Sequence, residues 1–204
     1  MQVNDCVSCT TFPCVDVNHS CYLIPNINLS SDRVRLIMIA EAAPADAADY
    51  FYADNDAPLF LQTTLQAFQD AGTQITSLQE LVDLGVYLTT AIKCGKTEYS
   101  IKTATIKECS HLLDRELSLF PRTRVIMLMG DVAKRALNYI ARQRGEPRVI
   151  PSGTTYKIRT RQFFYRAQRV FPSYLQAGPS FFIEKSKRRM IAEDLRAALN
   201  LIMN

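Results

Sequence analysis

The chain has 204 residues, 48% of them hydrophobic, six cysteines and no tryptophan. That is enough for one substantial core, and nothing in the sequence demands a second. No apolar run reaches the length of about eighteen residues that a membrane span needs, and the N-terminus lacks the basic and apolar regions of a secretory signal, so the expectation is a soluble, cytoplasmic monomer with no membrane partner.

The net charge of +4 hides an asymmetry. Residues 1–90 carry eleven acids against Arg33 and Arg35, a net −9, whereas residues 91–204 carry twenty-two bases against nine acids, a net +13. Arg159 and Arg161 lie in a stretch without acids, and Lys187 and Arg188 belong to a second basic cluster. Such clusters suit the phosphates of DNA, single- or double-stranded, or else form a solvated basic face.

Residues 1–30, rich in Cys, Asn, Ser and Pro, read as an irregular segment packed on a domain over residues 31–204, with too little core to order itself without a metal. It contains the C-x-x-C pair Cys6 and Cys9, followed by Cys14, His19 and Cys21. Arg35–Ala40 is a buried strand, Leu59–Ala71 a helix and Gly85–Thr89 a second strand. Thr103–Leu119 has helical spacing, with Ile106, Leu112, Leu113 and Leu117 on one side; Arg124–Met129 is a third strand, and Asp131 suits the N-cap of the helix after it. Residues 163–165 and 169–171 read as later strands and Lys187–Met203 as a terminal amphipathic helix. Strands alternating with helices predict an α/β fold, a three-layer α/β/α sandwich around a mainly parallel sheet.

Six cysteines in a reducing compartment are metal ligands or core thiols rather than disulfides. Cys94 and Cys109 stand at opposite ends of a strand-to-helix connection, and with Cys6 and Cys9 they have the layout of a tetrathiolate site. Two alternatives stay open. Cys6, Cys9, Cys14, His19 and Cys21 form a local zinc site, or Cys14 and Cys21 supply the N-terminal ligand pair.

Five segments in order resemble the uracil-DNA glycosylase superfamily, in particular its iron-sulfur branches. Ala40-Glu41-Ala42-Ala43-Pro44 is similar to the Gly-Glu-Ala-Pro-Gly loop after the first strand, and Tyr87-Leu-Thr-Thr-Ala-Ile-Lys-Cys94 to Tyr-Ile-Thr-Asn-x-x-Lys-Cys. Cys109 corresponds to a further cysteine in the next helix. Leu128-Met-Gly-Asp-Val-Ala133 resembles Leu-Gly-x-x-Ala, and Phe171-Pro172-Ser173-Tyr174 the His-Pro-Ser-Tyr loop.

The resemblance implies a DNA-repair enzyme that hydrolyses the N-glycosidic bond of a flipped, damaged or deaminated base. By this correspondence Glu41 lines the site and handles the attacking water, Ala40, Ala42 and Phe60 belong to the base pocket, and Thr90 stands at the uracil-reading asparagine. Phe171 replaces the histidine that stabilises the departing base anion, while Pro172, Ser173 and Tyr174 contact DNA with the basic residues. The implied cofactor is a [4Fe-4S] cluster on Cys6, Cys9, Cys94 and Cys109, with zinc as the alternative. Losing the asparagine and the histidine keeps two other readings open: a nucleic-acid-binding iron-sulfur protein without activity, and a hydrolase of free nucleotides or nucleosides.

Overall fold

The computed structural model of the chain, which describes residues 1–98 and 100–203, places strands at each of the three apolar runs. In chain order the elements are β1 (Val17–Asn18), β2 (Leu36–Ala43), α1 (Leu59–Asp70), α2 (Leu78–Asp83), β3 (Val86–Lys96), α3 (Thr103–Leu117), β4 (Val125–Met129), α4 (Asp131–Gln143), α5 (Thr155–Ile158), β5 (Phe163–Tyr165), β6 (Gln168–Ser173), α6 (Ser180–Ile183) and α7 (Lys185–Met203). The sheet order is β1-β3-β2-β4-β6-β5. The four central strands are parallel, and β1 and β5 close the two edges antiparallel.

Both faces of the sheet are buried, and alternate residues separate them. Ile37, Ile39, Ile126 and Leu128 point into one core with Ile106 and Leu113 of α3 and Leu137 and Ile140 of α4. Leu36, Met38, Val125 and Met127 point into the other, with Phe68 of α1 and Leu195 and Ala198 of α7. Apolar side chains on both faces require helices on both faces, which gives the three-layer α/β/α arrangement. Residues 1–30 add Val3, Val7, Val17 and Leu29 to the first core, more apolar surface than their polar composition suggests.

Three boundaries differ from the sequence expectation. β3 runs on to Lys96, well past Thr89, because β1 pairs with its end through Val17↔Lys96 and Asn18↔Gly95. α2 has no long periodic run, but its Ser77 accepts from the Glu80 amide at 3.3 Å while the Glu80 carboxylate accepts from the Ser77 amide at 3.2 Å, a reciprocal cap that starts the helix. The N-cap of α4 is Gly130, not Asp131. Glu41, ninety residues earlier, takes the first amides of that helix, and Asp131 instead pairs with Lys134 at 3.2 Å. Among the described residues no helix is long and apolar enough to cross a membrane.

Candidate active site and thiol cluster

The parallel strands end together, and a cleft of about 530 Å³ opens at their C-terminal ends. Glu41 comes from the end of β2, Lys96 from the end of β3, Gly130 follows β4 and Tyr174 follows β6, with Lys187 and Glu184 from the α7 side. The carboxyl ends of parallel strands are where α/β folds place their ligands. Glu41 Oε1 accepts from the amides of Asp131 at 2.8 Å and Val132 at 3.3 Å, so a carboxylate sits on the positive end of α4. Its Oε2 lies 3.7 Å from Lys96 Nζ. The close approach requires a glycine: Gly130 has φ +106°, and a Cβ there would lie 2.6 Å from Glu41 Cγ. Lys187 lies 5.6 Å from the Tyr174 ring centroid and pairs with Glu184. Arg135, also in the cleft, donates to Thr103 Oγ1 at 2.6 Å.

Of the residues expected at the site, the structure brings Glu41, Tyr174 and Lys187 into this cleft and leaves the others elsewhere. Thr90 is fully buried and its hydroxyl donates to the Ile92 carbonyl at 2.8 Å. Phe171 pairs with Met127 in mid-sheet and is buried in the α1/α7 core, with the Arg169 guanidinium 4.3 Å from its ring centroid. Ala40 and Ala42 are both buried, Ala40 in the second core and Ala42 in the first, and Phe60 packs on Phe51 with ring centroids 5.4 Å apart. Pro172 is buried, and the buried Ser173 donates to Asp194 at 2.6 Å.

The basic residues also divide. Arg159 is tied to Asp194 at 2.8 Å and Glu193 at 2.9 Å, joining α5 to α7, and burial pushes the Asp194 carboxyl up against the Ser173 and Arg159 bonds that pull it down. Arg188 forms a forked pair with Asp70 that ties α7 to α1 and holds the Asp70 carboxyl below its ordinary value. Arg161 rests 5.5 Å from the Phe163 ring centroid. Lys96 and Arg135 were not singled out by the sequence, and Asp131 only as a helix cap; Arg135 and Asp131 lie in the first turns of a helix that follows a predicted strand, whereas Lys96, seven residues past the predicted end of its strand, carried no signal.

The sequence profile of the uracil DNA glycosylase superfamily matches residues 27–196, which span the whole sheet from β2 onward and most of α7. The chain belongs to the uracil-DNA glycosylase superfamily. Glycosylase chemistry on DNA is the general activity of that superfamily, and the mixed α/β sandwich is its fold. Among curated proteins, none matches the sequence.

On the α3 face of this glycosylase-like domain the cysteines converge. Cys94 at the end of β3 and Cys109 on α3 are buried, and the Lys93 backbone beside Cys94 partly offsets the effect of burial on the Cys109 thiol. Cys9, Cys14 and Cys109 are close enough for each to influence the charge of its neighbours, and Cys94 feels Cys14, Cys9 and Cys21. His19 stands between them, with Nδ1 3.3 Å from Cys94 Sγ and Nε2 2.7 Å from the Cys14 carbonyl. Cys6 is apart: it is exposed, and its thiol donates to the Gln2 carbonyl at 3.6 Å. Burial, reinforced by the neighbouring thiols, pushes both Cys94 and Cys109 up to about 12.

As donors, four soft thiols suit an iron-sulfur cluster or zinc. A cavity of about 180 Å³ bordered by Cys9, Cys14 and Cys109 adjoins them. Among the described residues, no three His, Cys, Asp or Glu donors are drawn close enough together to hold a metal ion. The thiols are neighbours, then, not a closed cage.

Beneath this cluster lies a buried ion pair. Lys93 Nζ and the Glu116 carboxylate, both without solvent exposure, are in direct contact, and Lys93 also donates to Thr89 Oγ1 and to the Thr90 carbonyl, each at 2.7 Å. Glu116 Oε1 accepts from Tyr87 at 2.6 Å and Thr89 at 2.7 Å. Burial and the Glu116 charge raise the Tyr87 phenol well above its ordinary value, keeping it a donor. The network joins β3 to α3, the two elements that carry Cys94 and Cys109.

Proposed function

We propose that this chain is a DNA N-glycosylase of the iron-sulfur branch that hydrolyses the bond between deoxyribose and a flipped, damaged or deaminated base. The observation that carries this reading is Glu41, whose carboxylate is fixed by two helix amides at the mouth of the strand-end cleft and keeps Oε2 toward Lys96. A carboxylate held in that way orients a water for attack on C1′. The water oxygen bonds to C1′, the glycosidic bond breaks with its electron pair going to the base, and a proton from the water returns to the departing base, with Glu41 as its transient acceptor.

The departing anion needs positive charge. Phe171 cannot supply it, being apolar and buried away from the cleft. Lys96 and Lys187 line the cleft and take that role or grip the flanking phosphates.

The second reading is that the fold binds DNA without turnover. It is favoured by one observation: neither Thr90 nor Phe171 lines the cleft, so the superfamily's base-reading and charge-stabilising positions do not serve it here. A third, a hydrolase of free nucleotides or nucleosides, requires activity without polymer. Oligonucleotides carrying uracil, hypoxanthine or xanthine, assayed for abasic-site formation beside free nucleosides, separate the three.

We infer further that Cys9, Cys14, Cys94 and Cys109 are the ligands of a [4Fe-4S] cluster, with Cys14 in the place expected for Cys6. The cavity that Cys9, Cys14 and Cys109 share, the His19 ring between Cys94 and the Cys14 carbonyl, and the exposure of Cys6 support that set. Bound there, a cluster would supply a cross-link between the N-terminal segment, β3 and α3.

A further inference from the structure

At the end of the sheet opposite the cleft, where β2, β4 and β6 begin, Arg35, Arg122, Arg124 and Arg169 line an open groove of about 580 Å³, and among the described residues no acid stands in its wall. Elsewhere the guanidiniums of Arg144, Arg159, Arg166 and Arg188 each meet a carboxylate. Among the described residues, none of the four groove arginines does. Arg35 donates to the Val34 and Asp32 carbonyls, and Arg169 to the Val170, Phe163 and Arg161 carbonyls; these bonds orient the charge without neutralising it. Arg122 and Arg124 are exposed. Burial pulls Arg169 below its ordinary pKa, with no neighbouring acid among the described residues to offset it.

A second feature adjoins the groove. Phe164 on the edge strand β5 is 56% exposed and pairs across the ladder with Arg169, whose guanidinium lies 5.7 Å from its ring centroid. An exposed aromatic beside unpaired arginines is the arrangement that takes a base on a ring and its phosphates on cations. Side-chain donors in an open groove suit an extended polyanion better than a small one, which would be held in an enclosed nest of backbone amides. An exposed ring such as that of Phe164 favours an unpaired strand, because a duplex keeps its bases stacked.

We propose that this groove is an accessory site for single-stranded nucleic acid, with Arg122 and Arg124 on phosphates and Phe164 under a base. It is separate from the cleft by the length of β4, about 17 Å at ~3.3 Å per residue, and it does not depend on glycosylase activity. The test is anisotropy with a labelled oligothymidylate of about 30 nucleotides across a salt series, for the wild-type chain, Arg122→Glu with Arg124→Glu, Phe164→Ala, and Lys187→Glu as the cleft control. The double reversal should weaken binding tenfold or more and flatten the plot of log K against log salt by about 1.4, two single-strand contacts at ~0.7 each. Phe164→Ala should weaken it about fivefold or more, and the losses should multiply with that of Lys187→Glu. The neutral pair Arg122→Gln with Arg124→Gln guards against a folding artefact and should give the same flattening. An unchanged slope in either double variant overturns the proposal. So does displacement of the oligonucleotide by millimolar pyrophosphate with Phe164→Ala without effect, which would mark a small-phosphate site.

Discussion

Replacing Lys93 by Met removes the cation from a network in which Lys93 and Glu116 are both without solvent exposure. Methionine fills nearly the same volume, so the loss is one of charge and not of packing. Glu116 would keep the Tyr87 and Thr89 hydroxyls as donors but would be a buried carboxylate with no counter-charge. Breaking a buried pair from one side costs about 3–5 kcal/mol, a large share of the ~5–15 kcal/mol that holds a domain together. At a urea slope of about 2 kcal/mol per molar, the unfolding midpoint should fall by about 1.5–2.5 M. Lys93→Met combined with Glu116→Leu should recover most of the loss, because no charge is then left buried alone. The same network fixes β3 against α3, so Lys93→Met should also speed the reaction of Cys94 and Cys109 with a thiol reagent. A single variant within about 1 kcal/mol of wild type, with unchanged thiol reactivity, would refute the reasoning.

Gly130→Ala should cost about 1–2 kcal/mol, because it strains a residue at φ +106° and drives its Cβ into Glu41; Glu41→Ala combined with it should recover part of that cost, and simple additivity in a double-mutant cycle would contradict the contact. Asp70 is held below its ordinary value by Arg188, so its contribution is complete above about pH 4 and is lost as pH falls through the depressed value. The melting-temperature deficit of Asp70→Asn should therefore be present near neutrality and shrink toward about pH 2; a deficit independent of pH would contradict this. After anaerobic purification, Cys14→Ser, Cys94→Ser and Cys109→Ser should each lose iron while Cys6→Ser retains it. Iron lost with Cys6 and kept with Cys14 would restore the C-x-x-C pair as the ligands.

The central architecture was legible because its signals are local. Runs such as Leu36–Ile39 and Val125–Met129 are apolar at every position, which only a strand buried on both faces explains, and Ile106, Leu113 and Leu117 repeat at helical spacing. The capping box at Ser77 and Glu80 was equally local and was overlooked because the helix it starts has six residues. Long-range features had no such signal. The cap of α4 comes from Glu41, and no spacing rule links residue 41 to residue 131. Motif correspondence placed Thr90 and Phe171 near the ends of their strands, but the strands continue beyond them and bury both side chains. Charge counting could not tell Arg159 and Arg188, bound to Asp194 and Asp70, from Arg122 and Arg124, which among the described residues have no acid beside them. Cysteine order left both Cys6 and Cys14 open as ligands, since it does not show that in the folded segment Cys14 borders one cavity with Cys109 while Cys6 is exposed.

The most direct test of the central claim is a single-turnover assay of abasic-site formation on uracil-, hypoxanthine- and xanthine-containing oligonucleotides, comparing wild type with Glu41→Gln. Glutamine keeps a carbonyl oxygen for the Asp131 and Val132 amides but has no negative charge to orient or deprotonate water, so excision of at least one base should fall by about a hundredfold, within the range expected of a general base, with oligonucleotide affinity unchanged. Excision at the wild-type rate by Glu41→Gln would remove Glu41 from the chemistry. No excision of any base by the wild-type chain, with its iron and its DNA affinity intact, would contradict the enzyme and leave the binding protein.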